Sequence, residues 1–403
     1  MKYVKVKDLG QIVTGNTPPT TDGSYYGDFM PFIKATDIPL GSRFTYNTEQ
    51  CYSEKAYNKY KANLVPKGST CIVTIGSIGK KMTQAHTDLF VNQAINAIIP
   101  FKEFNEDYIY YVTRYAVLPQ LKIYDSGTTS GRENISKSSF SNIRLFVEED
   151  YLTQQKIASI LSAYDSLIEN NTKRIKLLEQ MAENLYKEWF VRFRFPEHEN
   201  MEMENGLPKG WKISILKDFG TIETGKTPSM ENPEYYGGDY LFIKTPDMRD
   251  SMFVFNTTET LSQAGNDCQK KKLLPINSIM VSCIGSGGVV AINAKQGHTN
   301  QQINSIILHN QKYLEWLYFT CKSLKATIEL YGATGATMTN LSKCKFEKLK
   351  VLEPTNDIVI RFNTIVNPLF QQIKNLSIQN QLLTRQRDLL LPRLMSGKLE
   401  VKS

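Results

Sequence analysis

Two long segments of the chain repeat apolar residues at steps of three and four positions. An average step near 3.5 predicts two long helices that pair along an apolar seam, whereas a looser step near 3.6 would fit amphipathic helices packed on their own domains. The first series is Ile157, Leu161, Tyr164, Ile168, Asn171, Ile175, Leu178, Ala182, Leu185 and Trp189. The second series is Phe362, Val366, Leu369, Ile373, Leu376, Asn380, Leu383, Arg387, Leu390 and Leu394.

Polar residues within these series carry further expectations. Asn171 and Asn380 lie one heptad step apart in the aligned copies of the seams, where a polar group would fix the register at a cost in stability. Pro368 after Asn367 has the pattern of a first-turn proline behind an N-cap. We therefore expect each seam to consist of a short helix, a bend and a long helix.

The rest of the chain has a mixed pattern. Short β-rich runs at 69–75 and 95–100 alternate with a helix-like stretch at 106–122. Segments rich in Gly, Pro, Ser and Thr separate them. This alternation predicts a mixed α/β fold.

The chain also repeats itself. Residues 7–38 align without gaps on 217–248, and fifteen of the 32 positions are identical. Three later matches follow in the same order, at offsets that fall slowly from 209 to 206 as small loop deletions would produce. They are TIGSIG (74–79) with CIGSGG (283–288), NQAINAII (92–99) with NQQINSII (300–307), and NISKSSF (134–140) with NLSKCKF (340–346). The pattern indicates a duplicated domain of about 150 residues.

These patterns predict five segments in order along the chain. They are a first repeat at 1–150, a central spacer helix at 151–195, a linker at 196–210, a second repeat at 211–354 and a C-terminal spacer helix at 355–403. At 403 residues, two or three domains is the expected number.

Composition narrows the class. The formal net charge of +8 is spread along the chain, which suits a polyanion bound across a broad surface but also occurs in proteins that bind nothing charged. No apolar run is long enough to cross a membrane, and the first residues lack the apolar core of a secretory signal. The six cysteines never form CxxC, so we expect a cytoplasmic protein with reduced thiols.

Motifs for chemistry are missing. GSIGK lacks the first glycine of a phosphate-binding P-loop, and IGSGGVV fails GxGxxG. The Asn/Asp-Pro-Pro-aromatic run of DNA amino-methyltransferases is absent. Pro246–Asp247 could begin a PD…(D/E)xK nuclease motif, but the only (D/E)xK that follows is Glu400-Val401-Lys402 in the tail. Four scattered histidines define neither a metal site nor a catalytic triad. We therefore expect a non-enzyme without cofactor or metal, although an enzyme with an unrecognised site stays a possible alternative.

Several segments together resemble the specificity subunit of type I restriction–modification systems. Both repeats carry TGxTP, YYG and FIK followed by Asp, and the resemblance covers essentially the whole chain. The more distinctive segments are ENLYKEWFVRFRFPE (183–197), GLPKGW (206–211) and RDLLLPRLMSGKLEV (387–401). As a departure, the first repeat begins at Met1, without the leading segment that many members carry.

The resemblance implies a pseudo-twofold protein with two target recognition domains separated by two long, antiparallel, coiled-coil-like helices. Each domain would read one half of an asymmetric, bipartite target in double-stranded DNA. Two methyltransferase subunits and the restriction (motor–nuclease) subunits would dock on the helices and supply all the chemistry. A standalone, sequence-tolerant or architectural DNA-binding protein is the alternative.

Candidate DNA contacts lie in the polar loops of both repeats. The alternative is that the glycines of these loops only permit tight turns, and that the residues shared by the repeats are scaffold. Lys34, Lys80, Lys81, Arg132, Lys226 and Lys244 are candidates for phosphate contacts. Asn92, Gln93, Asn300, Gln301 and Gln302 carry amides suited to adenine edges. Further loop candidates are Thr14, Thr17, Ser77, Thr128, Thr129, Thr227, Ser286, Thr334 and Thr337. Base discrimination is expected where the repeats diverge.

Overall fold

The computed structural model describes residues 1–125, 133–249, 251–333 and 339–401. The chain forms two compact units. The first unit comprises Met1–Asn170 and Gln379–Ser403, and the second comprises Asn171–Ile378. Both combine short strands with helices, so the predicted mixed α/β class is confirmed.

The first unit is built on antiparallel and mixed sheets. Its strands are β1 Lys2–Lys5, β2 Gly10–Thr14, β3 Tyr26–Gly27, β4 Met30–Ile33, β5 Gln50–Tyr52, β6 Thr70–Val73, β7 Met82–Gln84, β8 Phe90–Val91, β9 Ile95–Pro100 and β10 Arg144–Val147. They pair as β1–β10, as the antiparallel order β2–β9–β6–β7, and as the mixed order β3–β5–β4–β8. Fully buried β6 and largely buried β9 explain the continuous apolar runs at 69–75 and 95–100.

The second unit repeats this topology. Its strands are β11 Met203–Glu204, β12 Leu207–Pro208, β13 Lys212–Ile215, β14 Gly220–Thr224, β15 Tyr236–Ile243, β16 Phe253–Val254, β17 Glu259–Leu261, β18 Ile279–Ser282, β19 Ile284–Gly285, β20 Val290–Asn293, β21 Gly297–Thr299, β22 Ile303–Leu308, β23 Thr339–Asn340 and β24 Lys350–Glu353. The main sheet has the order β14–β22–β18–β20–β16, beside β17–β15–β21 and the pairs β13–β24, β19–β23 and β11–β12. Thr224 faces Asn304 as Thr14 faces Asn96, so the register of the duplicated strands is preserved.

The helices also correspond between the units. They are α1 Glu54–Tyr60, α2 Glu106–Val112, α3 Lys137–Asn142, α4 Tyr151–Tyr186, α5 Gln263–Asp267, α6 Leu314–Ser323, α7 Lys325–Gly332, α8 Lys343–Glu347 and α9 Asn356–Met395. Ser53 caps α1 and Ser262 caps α5, each accepting a backbone N–H with its hydroxyl oxygen. The 3-10 segment Leu118–Tyr124 corresponds to α7.

Each unit contains part of both long helices. In the first unit, Ile157 and Leu161 of α4 share one apolar core with Leu391 and Leu394 of α9. In the second unit, a wider turn at Lys187–Val191 continues α4, and its Phe190 packs edge-to-face on Phe362 of α9 at 4.9 Å. Within each unit, the apolar positions predicted for the seams therefore bury against both the partner helix and the repeat.

The predicted break at Pro368 is wrong. Helix α9 runs through Pro368 without interruption, although an interior proline lacks one hydrogen-bond donor and costs about 3 kcal/mol. Val366 and Phe370 on either side are fully buried, and this packing offsets the cost. Asn367 is also not an N-cap, because its amide donates to Oε1 of Glu315 at 2.6 Å.

Candidate nucleic-acid interface

Polar loops of the first repeat meet at the end of the main sheet where β2 stops. Gly15 N donates to Ile95 O at 3.1 Å, Asn92 N to Ile33 O at 3.0 Å, and Ile75 N to Ala94 O at 3.3 Å. These backbone bonds join segments that are up to 80 residues apart in sequence. We call residues 14–18, 34–37, 75–80 and 92–94 the first loop edge.

The second repeat builds the same arrangement. Gly225 N donates to Ile303 O at 3.2 Å, Asn300 N to Ile243 O at 3.2 Å, and Ile284 N to Gln302 O at 3.3 Å. Residues 224–228, 244–247, 284–288 and 300–302 form the second loop edge. The sequence motifs shared by the repeats therefore lie together in space within each unit.

Shared side chains hold the two loop edges in shape. Thr14 Oγ1 donates to Asn96 Oδ1 and Thr224 Oγ1 to Asn304 Oδ1, both at 2.6 Å. A second pair of threonine hydroxyls donates to glutamine side chains. Thr17 Oγ1 donates to Gln93 Oε1, and Thr227 Oγ1 donates to Gln301 Oε1 at 2.7 Å. A third pair joins tyrosine hydroxyls to proline carbonyls, Tyr26 to Pro18 at 2.9 Å and Tyr236 to Pro228 at 2.8 Å.

Two glycines are required by this close packing. A β-carbon on Gly15 would lie 2.1 Å from Val91 O, and one on Gly225 would lie 2.2 Å from Asn300 O. Such contacts are far inside van der Waals distance, so only glycine lets the loop after β2 or β14 cross the neighbouring strand.

The two FIK lysines are engaged in their own units. Lys34 Nζ pairs with Glu49 and Lys244 Nζ with Glu259, both at 2.5 Å. The backbone N–H of each lysine donates to a carboxylate three residues later, on Asp37 at 2.8 Å and Asp247 at 2.9 Å. The matching residues of FIKATDI and FIKTPDM thus form one capped turn used twice.

The exposed chemistry differs between the edges. In the first edge, Ser77 and Lys80 are exposed, and Lys80 pairs with no carboxylate among the described residues. In the second edge, exposed Ser286 accepts from Arg249 at 3.2 Å, and glycines occupy the next two positions. The scaffold is therefore common, whereas the surface that it presents is not.

The remaining candidates fall into three groups. Lys226 is exposed, whereas Lys81 Nζ donates to Ala35 O at 3.0 Å. Asn92 and Asn300 bond locally, to Ala94 N at 3.3 Å and to Gln302 at 3.2 Å. Five candidates lie outside the described residues, namely Thr128, Thr129, Arg132, Thr334 and Thr337.

Three exposed lysines that are not among the sequence candidates lie beside the loop edges. Asn63 donates to Thr14 O at 3.0 Å, which places exposed Lys61 beside the first edge. Lys272 pairs with Glu223, which places exposed Lys270 and Lys271 beside the second edge. The run KKK at 270–272 was the available signal.

The structure offers little for nucleophilic or metal chemistry in its described part. Burial raises the pKa of Cys71 to about 12 and that of Cys283 to about 11, so both thiols stay protonated at neutral pH. In the ranges that the structure covers, no three His, Cys, Asp or Glu residues are grouped as metal ligands. No helix of the described chain is long and apolar enough to cross a membrane.

The described chain thus contains two copies of one α/β scaffold, each with its own loop edge. Comparison with known proteins identifies the family. The sequence profile described as "Type I restriction modification DNA specificity domain" matches residues 1–180 and 208–384. The chain belongs to this type I restriction–modification specificity family.

Individual relatives agree with this assignment. The type I restriction enzyme HindI specificity subunit of Haemophilus influenzae is 35% identical over 326 residues, covering 66% of this chain and 71% of the relative. The MjaIX specificity subunit of Methanocaldococcus jannaschii is 28% identical over 411 residues, covering 99% and 93%. The crystal structure of a type I system S subunit from M. genitalium covers 100% of this chain and 96% of that chain, with TM-score 0.57 and 14% identity, and so shares the fold.

Proposed function

We propose that this chain is the DNA-recognition subunit of a cytoplasmic type I restriction–modification complex. Each repeat is a target recognition domain that reads one half of a bipartite target in double-stranded DNA. The observation that carries the proposal is the pair of loop edges, which share framework hydrogen bonds but expose different side chains. Because the exposed groups differ, the two half-sites have different sequences.

We divide the candidate residues by role. Thr14, Lys34 and Lys244 are framework, since each is bonded within its own unit. Exposed lysines beside or within the edges contact phosphates, which position the protein without reading sequence. These are Lys61, Lys80, Lys226, Lys270 and Lys271.

Glutamines of the framework have a second use. Gln93 and Gln301 accept a threonine hydroxyl with Oε1, and both are exposed. Within the described chain no acceptor is bonded to either Nε2, so two N–H donors remain on each for a base edge. The threonine bond fixes the amide before DNA arrives, which lowers the entropic cost of binding.

We place catalysis on other chains. Methyltransferase subunits and restriction subunits dock on α4 and α9, and this chain supplies only the target sequence. Exposed apolar side chains on these helices support a protein partner: Leu167 (51% exposed) and Leu389 (58%) in the first unit, and Leu177 (60%) and Met181 (57%) in the second. Leu167→Asp should abolish co-purification with the methyltransferase. Ser166→Asp, at an exposed neighbouring position of the same helix, is the matched control.

The function is tested with the chain co-expressed with the methyltransferase subunit from its own operon. Sequencing that detects methylated bases should show one asymmetric, interrupted motif. Replacing residues 1–150 by the equivalent segment of a relative should change the first half-site and leave the second unchanged. A change in both half-sites, or methylation by the isolated chain, would refute the proposal.

A further inference from the structure

Each loop edge is flanked by an aliphatic side chain that stands in solvent. Ile123 is 79% exposed and Leu330 is 71% exposed, among the highest values for large apolar residues of the described chain. A tyrosine follows each of them, half-buried Tyr124 and exposed Tyr331. Single exposed apolar residues are common on protein surfaces, so the position of these two matters more than their exposure.

The two positions are equivalent in the repeat. Residues 107–124 align without gaps on 314–331 at an offset of 207, between the offsets of 208 and 206 on either side. Buried Thr113 matches buried Thr320, and fully buried Leu121 matches fully buried Ile328. Three of the 18 aligned residues are identical, yet both copies end in an aliphatic residue followed by tyrosine. An otherwise divergent segment therefore places an exposed aliphatic residue, followed by a tyrosine, at the same position of the scaffold in both copies.

The turn that leads to this position packs on the loop edge in both units. A β-carbon on Gly79 would lie 3.3 Å from Leu118 O, and one on Gly288 would lie 2.8 Å from Lys325 Cα. Leu118 and Lys325 are themselves equivalent, so the same glycine loop packs on the same turn in each copy. The segment that follows returns to that loop, because Gly76 N donates to Glu133 O at 2.9 Å in the first unit and Ile284 pairs with Asn340 in the second.

Lysines lie near both positions, although exposed Asp125 follows Tyr124 and exposed Glu329 precedes Leu330. Lys122 precedes Ile123 and exposed Lys80 follows Gly79, whereas exposed Lys325 lies on α7 beside Gly288. An apolar side chain with lysines nearby suits DNA, in which apolar base surface and methyl groups lie between rows of phosphates.

Resting on the proposed function, we infer that Ile123 and Leu330 are apolar DNA contacts, each pressing on base atoms of its own half-site. Two kinds of base surface accept such a side chain, the thymine methyl group in the major groove and the face of a partly unstacked base step. The adjacent tyrosine adds a flat ring that stacks on the same bases. Apolar contacts of this kind read the target without using any amide or charged group of the loop edges.

The test uses the complex with its methyltransferase and a duplex that carries the methylated motif. Fluorescence anisotropy measures binding to the motif and to duplexes with either half-site scrambled. Ile123→Ser should weaken binding to the full motif about tenfold and reduce discrimination at the first half-site alone. Leu330→Ser should do the same at the second. Tyr3→Ser and Ile213→Ser remove exposed apolar side chains from β1 and β13 and should leave DNA affinity unchanged.

Modified bases separate the two kinds of contact. Replacing a half-site thymine by uracil should reduce wild-type affinity but not Ile123→Ser affinity if the methyl group is the ligand. If the base step is unstacked, the fluorescence of a 2-aminopurine at that step should increase on binding of the wild type and not on binding of Ile123→Ser. Unchanged affinity and discrimination in both Ile123→Ser and Leu330→Ser would overturn the inference. It would also be overturned if these variants no longer co-purified with the methyltransferase, because the side chains would then contact that subunit. Wild type that shows no preference for a bipartite motif would instead refute the proposed function.

Discussion

Arg387 of α9 pairs with Asp165 of α4 in the first unit, with Arg387 Nη1 2.5 Å from Asp165 Oδ1. Arg387 is 2% exposed and Asp165 is 7% exposed. The hydroxyl of Tyr111 donates to the other carboxylate oxygen at 2.5 Å. A position that the heptad pattern predicted as part of an apolar seam is thus a buried, hydrogen-bonded ion pair.

Removing one partner of this pair should destabilise the first unit. Arg387→Met leaves the Asp165 carboxylate buried without its cation, which costs about 3–5 kcal/mol in free energy of unfolding. Urea unfolding followed by circular dichroism should show an earlier transition. Tryptophan fluorescence should keep its midpoint, because Trp189, Trp211 and Trp316 all lie in the second unit.

Two variants control this experiment. Arg385→Met changes an exposed arginine of the same helix and should alter neither transition. Asp165→Leu combined with Arg387→Met removes both charges and should recover most of the lost stability. Equal destabilisation by the exposed and the buried arginine would contradict the role of the pair.

The second unit should lose stability in acid through His298. Burial lowers the pKa of His298 to about 4, and Nε2 bonds Asn266 Oδ1 at 3.0 Å. In the unfolded chain His298 has its ordinary pKa near 6.5, so between pH 6.5 and 4 it binds a proton that it does not bind in the folded unit. The stability that neutral His298 contributes is complete above pH 6.5 and is lost progressively as the pH falls to 4. The free energy of unfolding decreases by about 3 kcal/mol over this range. Tryptophan-monitored unfolding between pH 7.5 and 4.5 measures it.

The first repeat supplies the control for this pH effect. Phe90 occupies the strand position of His298, and Tyr57 of α1 occupies the helix position of Asn266 in α5. The ring centroids of Phe90 and Tyr57 are 6.2 Å apart. His298→Phe combined with Asn266→Tyr transplants this pair and should flatten the difference between pH 7.5 and 4.5. An undiminished pH dependence in the double variant would assign the effect to other groups.

Gly15→Ala should disrupt recognition of the first half-site. The new methyl group would meet Val91 O at 2.1 Å, so the loop after β2 must move away from β8 and β9. We expect binding to the full motif to fall at least tenfold while the second half-site is still read, as measured with scrambled half-sites. Gly23→Ala adds a methyl group with no atom within 4 Å and should bind normally. A normal first half-site in Gly15→Ala would show that this framework is dispensable.

Exposed lysines should contribute salt-dependent affinity without sequence preference. Lys80→Gln and Lys226→Gln should each weaken motif and non-motif DNA alike, and should each reduce the slope of log K against log salt by about 0.9. Lys102→Gln is the control, because Lys102 follows β9 at the opposite end of the sheet. A variant that changed discrimination rather than the slope would place that lysine on a base.

Much of the fold was predictable from sequence because duplication makes its own alignment. FIKATDI and FIKTPDM revealed the repeat, and buried runs such as Ile95–Pro100 are strands as predicted. Pro368 misled because local propensity favours a helix start there, whereas buried neighbours on both sides decide the outcome. The apolar seam was wrong at Arg387, because the sequence does not show that Asp165, 222 residues away, lies beside this arginine and forms an ion pair with it.

The site was less predictable than the fold. Sequence grouped the shared polar residues correctly into the loops, but it could not show that Thr14 or Lys34 is already bonded within the unit. Such partners come from distant strands, and no spacing rule encodes them. Ile123 and Leu330 gave no signal at all, since a single aliphatic residue at the end of a helix-like stretch reads as core.

The apolar core of the first unit has a consequence for synthesis of the chain. Leu391, Leu394 and Met395 belong to the same core as Tyr108 and Leu121, whereas every residue of the second unit lies between positions 171 and 378. During translation the second unit is therefore complete before the first, although it is encoded later. The apolar core of the N-terminal repeat therefore stays incomplete until the end of α9 has been synthesised. Termination after Ile378 but before Leu391 would thus damage the beginning of the protein more than its middle.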